Sequence, residues 1–148
     1  MLDFSNSKIL IVGDVMLDKY YFGKVDRISP EAPVPIVNIQ KEESRLGGAS
    51  NVANNIVSLG GHSLLCGVIG HDLFGKEIER ISRHKNIDTF LLKTSSPTIT
   101  KARIIGGKQQ IVRVDYEDKS ELNADNKKLF RDTISRILPE YDILVISD

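Results

Sequence analysis

Residues 9–13 are Ile-Leu-Ile-Val-Gly, a short aliphatic run that ends at a glycine. A run of this kind, with no polar residue at alternate positions, is typical of a strand that is buried on both faces of a parallel sheet. Residues 64–70 and 141–147 have the same character. The three runs therefore predict neighbouring strands of one buried sheet.

Between these runs, apolar residues recur at helical spacing. The spacing predicts helices over Ala49–Leu59, Leu73–Lys85 and Asn123–Leu138, with Asp72 as the N-cap of the second helix and Asn86 as its stop signal. Buried strands that alternate with amphipathic helices are typical of an α/β fold. We expect a Rossmann-like, mostly parallel sheet with helices on both faces.

Two segments interrupt this alternation, at about residues 19–40 and 98–116. The first contains Gly23 and three prolines between extended stretches, and the second has the pattern of a β-hairpin around Gly106-Gly107-Lys108. Apolar and polar residues alternate in both, which favours a small antiparallel sheet with one solvated face. The segments therefore predict a small antiparallel β lid outside the main sheet.

The hairpin loop determines which side chains share a face of this lid. A three-residue loop, 106–108, pairs Lys101 with Arg113 and separates the side chains into an apolar and a polar set, whereas a two-residue loop would mix them. The apolar face then carries Ala102, Ile104, Val112, Val114 and Tyr116, and the polar face carries Lys101, Arg103, Gln109, Arg113 and Asp115. Like charges placed directly opposite each other suit an anion such as a phosphate. The alternative is a solvated face on which Asp115 is the partner of the cations.

Composition excludes several classes of protein. The chain has 148 residues, 41% of them hydrophobic, and 20 basic side chains balance 20 acidic ones, as in an ordinary globular domain. Zero net charge provides no overall field for nucleic acid or anionic membranes, and no apolar run approaches the roughly 20 residues that span a bilayer. One cysteine and three scattered histidines form neither a disulfide framework nor a zinc pattern. The N-terminus lacks the features of a secretory signal, so we expect a cytoplasmic protein with no nucleic-acid or membrane partner.

Candidate site residues follow the first strand and precede the first helix. Asp14 and Asp18 leave the carboxyl edge of the sheet, where carboxylates can accept hydrogen bonds from a polyhydroxylated ligand. Gly47 and Gly48 allow close approach of the backbone at a helix start, and Asn51 can both donate to and accept from a sugar hydroxyl. The alternative interpretation makes the aspartates turn and cap residues and the glycines a tight entry loop. Neither a G-x-G-x-x-G fingerprint nor a P-loop is present.

The run Gly47–Ala53, followed by Gly60 and Gly70, resembles the first signature of the ribokinase-like (PfkB) carbohydrate kinase family. The match extends to Gly70-x-Asp72-x-x-Gly75. Three further segments resemble more narrowly the members that phosphorylate D-glycero-β-D-manno-heptose 7-phosphate: Gly13–Asp18, Arg27–Pro35 and Gln109–Asp115. In many bacteria that kinase is the first domain of a bifunctional ADP-heptose synthesis protein.

The resemblance implies transfer of the ATP γ-phosphate, with Mg²⁺, to the anomeric hydroxyl of the heptose 7-phosphate in lipopolysaccharide core synthesis. It implies a sugar site at Asp14, Asp18, Gly47, Gly48 and Asn51, phosphate recognition by some of Lys101, Arg103 and Arg113, and a homodimer formed through the lid. The catalytic aspartate of the family lies in a later Gly-Ala-Gly-Asp motif, which is absent here. The sequence also ends directly after the predicted strand 141–147, with no following helix to cover that strand. We therefore expect residues 1–148 to be the truncated N-terminal part of one kinase domain, with no catalytic residue and no activity of its own.

Two alternatives stay open. The chain could belong to another ribokinase-like kinase that acts on a different sugar or on a nucleoside, although the Arg27–Pro35 stretch and the cations of the lid argue against this. It could also be a non-catalytic module that binds a sugar phosphate.

Overall fold

The computed structural model describes residues 7–147. These residues form the following elements: β1 (Lys8–Gly13), β2 (Val15–Ile28), β3 (Pro35–Gly48), α1 (Ala49–Ser58), β4 (His62–Gly70), α2 (Leu73–His84), β5 (Asp88–Thr94), β6 (Thr100–Gly106), β7 (Gln109–Tyr116), α3 (Ala124–Ile137), a short 3₁₀ turn (Leu138–Glu140) and β8 (Ile143–Ser147). None of the described helices is long and apolar enough to cross a membrane.

The main sheet is parallel and has the strand order β5-β4-β1-β8. The three predicted strands are all present. The fourth, β5, carries Asp88 and Lys93 among its apolar residues, and this edge strand is not detected by a search for uninterrupted aliphatic runs. The predicted α/β architecture with a mostly parallel sheet is confirmed.

Burial follows each strand's place in the main sheet. Leu10 and Ile11 of the inner strand β1 are completely buried, as predicted. The predicted burial of β8 on both faces is wrong, since Ile143 is 49% and Ile146 76% exposed. Among the described residues β8 pairs only with β1, so it is an edge strand, and its aliphatic sequence alone does not reveal this.

Helices cover both faces of the main sheet, as predicted. α1 and α2 pack against a core built around Ile11, Leu65 and Ile69, while Phe130 of α3 stacks on Phe90 of β5 with ring centroids 6.0 Å apart. The helix boundaries agree with the predicted signals: Asp72 caps α2 by accepting from the Gly75 N–H at 2.7 Å, and Asn86 has a left-handed φ of 57° just after α2.

The lid sheet, defined as the sheet of order β3-β2-β6-β7, is larger than predicted and is not purely antiparallel. The β2–β3 and β6–β7 pairs are antiparallel, but β2 and β6 run parallel to each other. The physical reason is that they follow the parallel strands β1 and β5 out of the main sheet in the same direction. The Leu17 N–H also donates to the Ile99 carbonyl at 2.9 Å, which joins their bases.

The hairpin register differs from the prediction in two respects. The loop contains two residues, 107–108, and Ile111 has no partner because the register shifts between the Ile104 and Ile105 pairs. Lys101 therefore lies opposite Asp115, not Arg113, and Arg103 lies opposite Arg113. The bulge restores the alternation that a two-residue loop would reverse.

The predicted faces of the hairpin consequently hold, with one exception. The register keeps the cations of β6 and β7 on one face of the lid sheet and their apolar neighbours on the other. Gln109 pairs with Gly106 and is placed by the register with the apolar set, because it precedes the bulge.

Candidate functional site

An open cleft of about 580 Å³ lies between the lid sheet and the first turns of α1. Two predicted site residues, Asp18 from β2 and Asn51 from α1, line it together. The other lining residues come from the lid sheet, α1, α2 and the residue that follows α2: Tyr20, Glu43, Ser44, Arg45, Leu46, Asn54, Ile81 and Lys85. The sequence therefore places a carboxylate and a carboxamide, separated by 33 positions, at one concave surface.

Gly47 packs closely against the Asp18 carboxylate. A Cβ atom built at Gly47 would lie 2.8 Å from Asp18 Oδ2 and 2.9 Å from a side-chain carbon of Met16. Any larger residue would displace the carboxylate from this position. The close approach expected of the Gly47 backbone is therefore made to the Asp18 carboxylate.

Gly48 forms the turn from β3 into α1. Its φ of 54° and ψ of −136° are accessible to glycine and strained for other residues. The turn is held by the Ala49 N–H, which donates to the Asp14 carbonyl at 2.9 Å, and by the Ser50 hydroxyl, which donates to the Gly47 carbonyl at 2.6 Å. These bonds fix the start of α1, and with it Asn51, relative to β2.

Asp14 lies apart from Asp18 and Asn51. Its backbone holds the Gly48 turn, but its exposed side chain belongs to a separate hollow of about 220 Å³ beside Val12 and Phe130. The structure therefore does not bring Asp14 into the cleft with the other candidates.

Arg103 reaches the site through Asp18. Its Nη1 donates to Asp18 Oδ1 at 2.5 Å, and both side chains are only about 20% exposed (21% and 20%). This hydrogen bond raises the pKa of Arg103 above its usual value. Arg103 does not itself line the cleft. It holds the carboxylate that does.

The other two basic candidates differ in their surroundings. Lys101 lies beside Asp18 in the β2–β6 register and is half-buried, and its ammonium makes no ion pair within residues 7–147. Arg113 is on the exposed strand β7, where it forms two bonds to Asp115, of 2.9 Å and 3.0 Å. The pairing of Arg113 with Asp115 is the arrangement expected of a solvated face.

Sequence reasoning missed two prominent residues of the cleft, Tyr20 and Arg45. Antiparallel pairing of β2 with β3 places Arg45 directly opposite Asp18, and its guanidinium carbon lies 4.7 Å from the centroid of the Tyr20 ring. The first lid segment predicted from sequence ends at residue 40 and so excludes Arg45. Extending that strand to Gly48 would have revealed the pair.

The described residues, 7–147, contain no group of three His, Cys, Asp or Glu side chains that could hold a metal ion. The cleft is lined by hydrogen-bonding and cationic side chains, which suit hydroxyl and anionic oxygens, and also by two carboxylates, Asp18 and Glu43, and two aliphatic residues.

Comparison with solved structures shows the fold. The structure superposes on a carbohydrate kinase from Agrobacterium tumefaciens with a TM-score of 0.72 at 18% identity, covering 95% of this chain and 45% of the other. It superposes on the tetrameric inhibited form of phosphofructokinase-2 from Escherichia coli with a TM-score of 0.69 at 18% identity, covering 95% of this chain and 44% of the other. The fold is therefore ribokinase-like.

Sequence comparison shows the family. The chain is 47% identical over 141 residues to the "Bifunctional protein HldE" of Nitratiruptor sp., covering 95% of this chain and 30% of that protein. It is 46% identical over 145 residues to the "D-beta-D-heptose 7-phosphate kinase" of Bordetella bronchiseptica, covering 97% of this chain and 46% of that protein. The chain thus spans less than half the length of these relatives. The family model for pfkB family carbohydrate kinases matches residues 6–148, and the chain belongs to that family.

Proposed function

We propose that the protein containing these residues is an ATP-dependent kinase that phosphorylates the anomeric hydroxyl of D-glycero-D-manno-heptose 7-phosphate. The observation that carries this proposal is the 46% identity, over 97% of the chain, to a relative named a heptose 7-phosphate kinase. A cleft that combines Asp18 and Asn51 with neighbouring cations supports it, because a phosphorylated sugar offers hydroxyl groups and an anion together.

Each candidate residue has a distinct task in this proposal. Asp18 accepts hydrogen bonds from sugar hydroxyls, Asn51 donates to and accepts from them, and Gly47 leaves room for the Asp18 carboxylate in its binding position. Arg103 orients Asp18, and Lys101 contributes a positive charge beside it. These residues position the acceptor, which is the main contribution of protein groups to in-line phosphoryl transfer.

Asp14, Gly48 and Arg113 have supporting tasks. Gly48 and the Asp14 backbone hold the helix start that presents Asn51. Arg113 stays a predicted phosphate ligand, although its bonds to Asp115 would have to give way for it to bind the substrate.

ATP would supply the phosphoryl group, and Mg²⁺ would neutralise part of its charge. Residues 7–147 contain no group of three metal-ligating side chains, and we assign neither ATP nor Mg²⁺ to a site among them. We propose that the catalytic aspartate and most ATP contacts lie outside residues 1–148, which cover 30–46% of the two relatives. A cytoplasmic location stays a prediction.

We also propose a homodimer formed through the lid sheet. The outer strand β7 exposes an apolar row, with Val112 45%, Val114 38% and Tyr116 48% exposed. An unpaired edge strand with apolar side chains is a common site for association. Sedimentation of the full gene product tests this proposal, and a monomer at micromolar concentration would contradict it.

A substrate panel tests the proposed activity. The full gene product is assayed with ATP against heptose 7-phosphate, unphosphorylated heptose, fructose 6-phosphate, ribose and adenosine. We expect heptose 7-phosphate to have the highest kcat/KM. A preference for an unphosphorylated sugar or a nucleoside would favour another ribokinase-like kinase, and binding without turnover would favour a non-catalytic module.

A further inference from the structure

The start of α2 contacts the base of the lid sheet through its N-cap residue, Asp72. Asp72 Oδ2 accepts a hydrogen bond of 2.7 Å from the Thr98 N–H, and Asp72 Oδ1 accepts one of 2.8 Å from the Thr98 hydroxyl. Thr98 is 1% exposed and lies two residues before β6. The carboxylate that caps α2 therefore also fixes the point at which the chain enters the lid sheet.

Hydrogen bonds continue from Thr98 to the strand that carries Asp18. The Thr98 hydroxyl accepts from the Gly70 N–H at 2.9 Å, which ties it to the end of β4. The next residue, Ile99, accepts through its carbonyl from the Leu17 N–H at 2.9 Å, and Asp18 follows Leu17 in β2. A displacement of Thr98 would therefore be transmitted to Asp18 through contiguous bonds.

Phe74 supports the lid sheet from the face opposite to Asp18. Lys19 points to that face because side chains alternate along a strand. Its ammonium lies 5.8 Å from the centroid of the Phe74 ring and 3.2 Å from Glu42 of β3. The Phe74 ring also lies 5.8 Å from the ring of Tyr116, the last residue of β7. Both are arrangements in which an aromatic ring attracts its neighbour, so Phe74 holds β2 and β7 together with α2.

Much of the remaining boundary between α2 and the lid sheet is open. A hollow of about 450 Å³ lies there, lined by residues of β2, β3 and α2. Close packing throughout an interface resists displacement in every direction, and a hollow of this size provides no such resistance. The position of the lid sheet therefore depends strongly on the contacts made by Asp72 and Phe74.

We propose that Asp72 and Phe74 are positioning residues for the acceptor, which hold the lid sheet where Asp18 faces Asn51 across the cleft. This inference rests on the proposed function and extends it to residues that do not touch the substrate. If the lid sheet is displaced in part of the molecules, the apparent Kd rises in inverse proportion to the fraction that remains competent to bind. A bound acceptor that bridges Asp18 and Asn51 restores the position, so turnover at saturation changes little.

Asp72→Ser in the full gene product separates positioning from capping. Serine is as good an N-cap as aspartate, but its single oxygen cannot replace both the bond from the Gly75 N–H and the bonds from Thr98. We expect the KM for heptose 7-phosphate to rise about 3- to 10-fold, while kcat and the KM for ATP stay within about two-fold of the wild-type values. Asn123→Ser is the matched control, because Asn123 caps α3 by accepting from the Asn126 N–H at 2.8 Å. It should leave all three constants unchanged.

Two variants at Phe74 test the aromatic contact independently of Asp72. Phe74→Tyr keeps the ring and should preserve the wild-type KM for heptose 7-phosphate. Phe74→Leu removes the ring and should raise this KM about 2- to 5-fold, as expected for loss of the contacts with Lys19 and Tyr116. Leu73→Ala changes a neighbouring side chain that is 78% exposed and should have no effect. Equal KM values for Phe74→Leu and Phe74→Tyr would contradict the role of the ring.

Amide hydrogen exchange provides a measurement that needs no substrate. The Thr98 N–H is bonded to Asp72 and the Leu17 N–H to the Ile99 carbonyl. Asp72→Ser should accelerate exchange at both amides by about ten-fold or more, because both bonds depend on the position of Thr98. Asn123→Ser should not change either rate. Acceleration at Thr98 alone would show that the displacement does not reach β2 and would overturn the inference.

The kinetic outcomes also separate this inference from the proposed function. The positioning role is overturned if Asp72→Ser lowers the Tm or kcat and leaves the KM for the acceptor unchanged, since a purely structural role would have that effect. It is also overturned if the control variants raise this KM as much. If the wild-type protein instead phosphorylates another acceptor of the substrate panel and the same pattern holds for that acceptor, the proposed substrate is wrong and the positioning role stands.

Discussion

Arg103 of β6 donates a hydrogen bond of 2.5 Å to the carboxylate of Asp18 on the neighbouring strand β2. The two residues are 85 positions apart in sequence and come together because β2 and β6 pair in parallel. The bond joins the carboxylate proposed to bind the sugar to one of the cations predicted to bind its phosphate. The orientation of Asp18 is therefore fixed by the lid sheet itself.

A double-mutant cycle measures the coupling between these two residues. Asp18→Asn and Arg103→Gln should each lower the free energy of unfolding, and the cycle should give a coupling of about 1 kcal/mol, because the pair is largely shielded from solvent. Urea unfolding of the four proteins provides the values. Strictly additive effects would show that the ion pair contributes nothing in solution.

Asn51→Ala should impair activity and leave stability unchanged. The Asn51 side chain is exposed and makes no hydrogen bond within residues 7–147, so its removal should shift the Tm by less than about 2 °C, as for an ordinary surface substitution. Loss of two hydrogen bonds to a sugar should lower the kcat/KM of the full gene product about 10- to 100-fold. Asn55→Ala, one turn further along the exposed side of α1, is the control and should affect neither quantity.

Gly48→Ala should be far more destabilising than Gly107→Ala. Both glycines have positive φ values, of 54° and 64°. A methyl group at Gly107 would meet nothing within 4 Å, so the expected loss is about 1 kcal/mol, from backbone strain alone. At Gly48 the methyl group would collide with the Asp14 carbonyl, so the expected loss is above about 3 kcal/mol. Similar losses in urea unfolding would contradict the close contact at Gly48.

Asp72 should make the stability of the fold sensitive to acid. Its partial burial favours the neutral form, but hydrogen bonds from Thr98 and Gly75 outweigh this effect and lower the pKa of Asp72. A carboxylate whose pKa is lower in the folded than in the unfolded chain stabilises the fold above its unfolded pKa, about 3.9, and loses this contribution as the pH falls further. Asp72→Asn should therefore flatten the loss of stability as the pH falls below about 4.

Thr98→Val tests the same group from its partner's side. The Thr98 hydroxyl donates to Asp72 Oδ1 at 2.8 Å and accepts from the Gly70 N–H at 2.9 Å. The substitution should reduce the acid dependence in part, because the bond from the Thr98 N–H to Asp72 remains. The free energy of unfolding is measured over this pH range for the wild type and both variants. If it fell equally steeply with decreasing pH in all three proteins, the assignment to Asp72 would be contradicted.

The sequence predicts the central parts of the fold because local patterns determine them. The aliphatic run of β1, the cap at Asp72 and the glycine turn before α1 each have a local chemical signature, and all three are observed where expected. Asp18 and Asn51 could be predicted to meet because both lie at the carboxyl end of β1 in the α/β arrangement.

Features that depend on strand pairing could not be predicted in the same way. The contact of Arg45 with Tyr20 requires the register of β2 against β3, which no single strand encodes. In the hairpin, the predicted loop is too long and the bulge at Ile111 is absent from the prediction, and these two errors offset each other. A Cβ built at Gly106 would lie 2.6 Å from Val25 of β2 and 3.1 Å from Ile111 of β7, close contacts between strands that alternation of residue types does not reveal.

The unpaired Ile111 has a consequence for changes in the length of this hairpin. Ile111 is the extra residue of the bulge, so deleting it would leave the Ile105–Gln110 and Ile104–Val112 pairs in register and Arg113 on its present face, whereas inserting one residue without a second bulge would turn the Arg113 side of β7 towards the opposite surface. A related hairpin that is one residue shorter and keeps its positive charges on the sugar side is thus expected to lack the bulge.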